Sequence, residues 1–155
     1  MKTATINDVM SWTSCSRYTK KATAKLFAGR ENVTALNILE LDIPAEDKLW
    51  IVLREEMLDA NILHEFACRC AEEALKLIYN PDPRSIAAIE AKRAWLRGEI
   101  TDNELAIARA SAYVAHAYAA SAYAAYAAAS ASAASASADD AAAQEKQIEI
   151  LKEIM

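Results

Sequence analysis

The sequence predicts an all-α protein: a bundle of about seven helices ending in a long alanine-rich helix. Three observations carry that prediction. Only two glycines and three prolines interrupt 155 residues. Apolar residues recur at helical rather than alternating spacing. Between Ala106 and Ala143, 22 of 38 residues are alanine, with neither Gly nor Pro among them. Alanine loses no side-chain entropy in a helix and buries no polar atom, so that stretch is helical on propensity alone.

Taken in order, Thr5-x-x-Asp8 caps a short helix through Trp12. Ser14 to Tyr18 reads as a turn. Thr19 opens a helix over TKKATAKLFAG, with Gly29 at its left-handed stop. Thr34 caps ALNILEL. Pro44 fits the first turn of the next helix, where Leu49, Trp50, Val52 and Leu53 read as core. Asp59 caps an amphipathic helix from Ala60 to Tyr79, whose apolar positions include Ile62, Leu63, Phe66, Ala67, Cys70, Ala74, Leu77 and Ile78. Asn80-Pro81-Asp82-Pro83 breaks it. Asp82 caps the following helix, and Gly98 ends that helix. Thr101-x-x-Glu104 is a capping box for the alanine helix. No stretch reads convincingly as a strand.

One row of the alanine helix runs Ala110, Ala117, Ala124, Ala131, Ala138. A second runs Ala108, Ala115, Ala122, Ala129, Ala136, Ala143, nearly opposite at about 100° per residue. Small side chains let helix backbones approach closely, so packing on two sides is expected, either within a bundle or in a self-associating rod. One helix over the 54 residues after Thr101 would be about 80 Å long, against roughly 40 Å for a compact domain of this size. A break near 130–140 is therefore expected, with Ser137 and Asp140 recapping a last helix whose stripe of Ile148, Leu151 and Met155 folds back. Tyr113, Tyr118, Tyr123 and Tyr126 along the rod are candidate interface or gap-filling residues.

Length points to a single domain, 1–155, with a short-helix part to residue 100 and the long helices beyond. The odd cysteines Cys15, Cys68 and Cys70 and the polar N-terminal stretch point to reduced thiols in a cytoplasm, with no membrane span. Net charge is −5, unevenly placed: residues 1–30 carry six bases and one acid, residues 31–73 three bases and eleven acids. An acidic block of that kind fits a basic protein partner. Glu46, Asp47, Glu55, Glu56, Asp59 and Glu65 are its candidate docking residues. The basic Lys20, Lys21, Lys25 and Arg30 read as a solvated helix side rather than a nucleic-acid contact.

Catalytic and metal chemistry find little support in the residues. His64 and Cys68 share a helical face, but a closed zinc site needs four ligands at suitable spacing. A Cys–His nucleophile needs a third orienting group and an oxyanion hole. Glu55-Glu56 and Glu72-Glu73 are adjacent pairs that diverge on a helix. No phosphate-binding glycine loop occurs. The expectation is no enzyme, no cofactor and no metal.

Arg17-Tyr18-Thr19, the run Asp42-Ile43-Pro44-Ala45-Glu46-Asp47-Lys48-Leu49-Trp50, Leu63-His64-Glu65, and Lys92-Arg93-Ala94-Trp95-Leu96 together resemble a family of phage and prophage immunity proteins, relatives of those encoded beside bacterial polymorphic toxins. The resemblance covers roughly Thr5 to Tyr126. It implies an all-helical, non-catalytic inhibitor that binds and blocks a toxin or host-defence effector. In a phage setting, the resemblance implies a host-defence effector as the alternative target, a CRISPR complex being one candidate. The Ser-rich segment 130–138 departs from the tails of similar chains. A self-assembling helical rod is the alternative of a different class.

Overall fold

The computed structural model describes residues 2–12, 18–113 and 136–155. The protein is all-α, with eight helices among these residues and one very small sheet. In chain order these are β1 (Thr3–Thr5), α1 (Ile6–Trp12), α2 (Lys20–Leu26), β2 (Asn32–Thr34), α3 (Ala35–Leu39), α4 (Ala45–Val52), α5 (Ala60–Lys76) and α6 (Pro83–Leu96). Residues 102–113 form α7, and α8 is Ala136–Ile154. The chain divides into two compact units: Met1–Leu63 with Ala138–Met155, and His64–Ser137.

The first unit has a conventional apolar core. Val9 of α1, Phe27, Val33, Ile38, Leu39, Leu49, Ile51, Val52, Met57 and Leu58 are buried. α3 packs on α4, and α1 on α2. α8 returns to this unit and buries Ile148, Ile150 and Leu151, so the expected fold-back stripe is real and slightly wider than expected. The two strands, unanticipated from sequence, pair antiparallel with Ala4 opposite Val33, both buried. Three residues per strand are too few to show an alternating pattern, which is why this pairing was not legible.

The caps follow the sequence closely. Thr5 and Asp8 exchange bonds, Asp8 Oδ2 accepting from Thr5 N at 2.8 Å. Thr34 and Asn37 form a reciprocal capping box. Thr101 N donates to Glu104 Oε2 at 2.8 Å, while Glu104 N donates back to Thr101 Oγ1. Asp82 accepts from Arg84 N with Pro83 at the first helical position. Gly98, at φ +73°, ends α6 in the left-handed region that favours glycine.

Several expectations need correction. Pro44 is the cap before α4, not a residue of its first turn. Trp50, expected in the core, is 42 % exposed. α5 stops at Lys76, leaving Leu77, Ile78 and Tyr79 beyond it and exposed. Ala67 is exposed and Cys68 buried, so the inner face of α5 is turned from the one expected. Ser137 and Asp140 lie inside α8, not at its cap. At the described ends of the alanine helix, Ala110 and Ala143 are exposed and Ala108 half-buried, so two-sided burial does not hold there. Most members of both alanine rows, with Tyr118, Tyr123, Tyr126, His116, Cys15 and the predicted turn at 14–17, lie outside the described residues.

Candidate functional site

The expected acidic residues separate into engaged and free groups. Asp47 accepts from the Tyr18 hydroxyl at 2.5 Å. Asp59 pairs with Lys2 at 3.3 Å, and the same Lys2 ammonium donates to the Glu55 and Leu58 carbonyls. Glu65 is half-buried in the second unit and held by Arg93 and Arg69. Glu46, Glu55 and Glu56 are exposed, and their carboxylates are unpaired among the described residues. Of the six expected residues, these three are available to an outside cation without breaking an internal bond among the described residues.

Between the free carboxylates lies a feature the sequence did not announce. The Arg54 guanidinium sits over two indoles, 4.7 Å from the Trp12 centroid and 4.4 Å from the Trp50 centroid. Arg54 Nη2 also donates to the Trp50 carbonyl at 2.9 Å, whereas its Nε is buried without a hydrogen-bond partner. An unsatisfied buried donor costs about 1–3 kcal/mol. Two cation–π contacts at about 0.5–2 kcal/mol each offset a penalty of that size. The stack therefore holds Arg54 at the end of α4 with Trp50 at the surface. Glu46 lies one turn earlier on the same helical face, and Glu55 and Glu56 follow in the next turn.

The second unit has different chemistry. Arg93 of α6 donates to both oxygens of Glu65 and to both oxygens of Glu72. Those bonds hold both carboxyls below the usual carboxylate range, and they raise the guanidinium further above its own. Trp95 meets His64 edge-on at 5.7 Å, carries Lys92 over its ring, and donates from Nε1 to Asp102 at 2.6 Å. Sequence reasoning set Glu72 aside as half of a diverging pair. Its partner comes from another helix. The readable signal was Glu65 and Glu72 seven apart, on one face of α5.

Burial pushes the Cys68 and Cys70 thiols up, which favours the unreactive protonated form. Among the described residues, no group of three or more His, Cys, Asp and Glu is placed to hold a metal. No described helix is long and apolar enough to cross a membrane. A cavity of about 250 Å³ opens in the first unit beside Leu36, Met57, Ile62 and Met155, with the Lys2–Asp59 pair at its wall. That is below the usual size of a small-molecule site and suits at most a single side chain. Tyr113, at 77 % exposure, is open to solvent on α7.

Comparison of the chain with family models, curated proteins and solved structures finds no match in any of the three.

Proposed function

We propose that this chain is a non-catalytic binding protein, an immunity-type inhibitor that blocks a basic toxin or host-defence effector by occlusion. The observation that carries the reading is the free carboxylate set Glu46, Glu55 and Glu56 around an exposed tryptophan, on a unit with its own apolar core. Trp and Arg are over-represented among residues that dominate binding energy, and carboxylates beside them steer a basic partner. The resemblance to phage and prophage immunity proteins supports the same reading and makes a phage anti-defence inhibitor its most specific form.

Exposure of Ala110 and Ala143 favours a second reading, self-assembly through the alanine faces. Light scattering separates the two: an inhibitor of this kind is monomeric at micromolar concentration, whereas a rod grows in mass with concentration. For the first reading, affinity capture from the cells that carry the gene should recover a stoichiometric protein, and replacement of Glu46, Glu55 and Glu56 by Lys should abolish its recovery. Capture that survives this reversal at low salt contradicts it.

A further inference from the structure

We propose that the open part of the Trp50 ring receives an arginine side chain from a basic partner segment, extending the Trp12–Arg54–Trp50 stack by one cation with Glu46 as its counter-charge. The inference rests on the reading of the chain as a protein-binding protein, and it names the residue type that this face recognises.

The Arg54 guanidinium lies over both indoles, 4.7 Å from the Trp12 centroid and 4.4 Å from the Trp50 centroid. Although Arg54 lies over the Trp50 ring, 42 % of that residue is still reached by solvent. An indole face attracts a cation through its quadrupole, more strongly than phenylalanine or tyrosine does. Glu46 lies four residues before Trp50, exposed and unpaired among the described residues. A cation seated on the ring therefore has a carboxylate within one helical turn. Glu55 and Glu56, also free, add to the field. Residues 31–73 as a whole carry eleven acids against three bases, so the complementary partner segment is basic.

The geometry favours arginine over lysine. A planar guanidinium stacks flat on an indole and still presents a fork to a carboxylate, and it is more weakly hydrated than an ammonium. Within this same stack, the chain itself uses arginine between the two tryptophans.

The test is a titration of the full chain with fluorescently labelled deca-arginine and deca-lysine peptides, read by anisotropy at fixed salt. Wild type should bind deca-arginine about threefold to fivefold more tightly than deca-lysine, the scale of one exposed cation–π contact. Trp50→Leu should erase that preference, Trp50→Tyr should keep most of it, and Glu46→Gln should weaken both peptides. Circular dichroism checks that each variant retains its helix content. Should Trp50→Leu lose its fold, the wild type still decides: the Trp50 indole N–H resonance must move on titration with deca-arginine while that of Trp95 stays. Equal affinity for the two peptides, a preference that survives Trp50→Leu, or a stationary Trp50 resonance overturns the inference. If arginine preference fails while cellular capture of a partner still depends on the three glutamates, the inhibitor reading stands and the stack is structural. If deca-arginine is recognised through Trp50 and no partner is captured, the face binds arginine and the inhibitor reading falls.

Discussion

At Arg93 one guanidinium holds two carboxylates, and the pH consequence follows from the direction of their shifts. Glu65 and Glu72 titrate below the usual range in the folded chain because Arg93 donates to both. Such carboxyls stabilise the fold above the unfolded value of about 4.3, and the contribution is lost as pH falls through the folded values. Arg93→Gln should therefore lower stability at pH 7 by about 2 kcal/mol, the scale of a charge-assisted network that is still partly wetted. The variant should also lose less than wild type between about pH 4.5 and 3. Urea denaturation at both pH values checks the two statements together. Trp50 and Arg93 were both hidden in the sequence for one reason. Trp50 sits in the run Leu49-Trp50-Ile51-Val52, where its three neighbours are buried, and hydropathy alone does not say which residue faces out. The other indole that Arg54 covers, Trp12, is remote in sequence. Glu72 likewise looked solitary until α6 brought Arg93 to it.

The elements were the most legible part, because their signals are local. Thr5, Thr19, Thr34, Asp82 and Thr101 all cap helices in the structure, as their spacing to Asp, Asn or Glu implied or their position before an apolar run suggested. Replacing Thr34 by Val removes the hydroxyl that accepts from Asn37 N, while the bond from Thr34 N to Asn37 Oδ1 remains. The five-residue α3 should lose about 1 kcal/mol, measured as a drop in the thermal midpoint of the first unit. Gly98→Ala places a Cβ at φ +73° with no atom within 4 Å of it, so its cost is conformational, about 1–2 kcal/mol, not steric. α8 was half legible: its apolar stripe pointed inward as expected, while its start did not follow the Ser–Asp capping signal. Leu151 is wholly buried, and Leu151→Ala should cost about 2–5 kcal/mol through the cavity it leaves. The alanine rows told less, since two faces of equally small residues give no direction for packing.

For the whole molecule, the two units rest on different forces among the described residues. The first buries an apolar core drawn from α1 to α4 and α8. In the second, α6 has no buried residue, and Phe66, Cys68 and Leu105 are the buried ones described. There the Arg93 fork and the Trp95 contacts with His64 and Asp102 do much of the holding. Charged contacts weaken with acid and salt, whereas apolar burial does not. Amide exchange at pH 3 should therefore accelerate in α6 before it does so in α4 or α8. Simultaneous loss of protection would contradict that division. This separation also keeps the face around Trp50 on the unit with the larger apolar core, as a docking surface needs. The account depends most on that face being used by a basic protein. The direct measurement is affinity capture from the cells that carry the gene, comparing wild type with the Glu46→Lys, Glu55→Lys, Glu56→Lys triple variant at equal helix content. The account predicts a stoichiometric basic partner on the wild type and none on the variant. An empty wild-type capture, or a partner held equally by both, would contradict it.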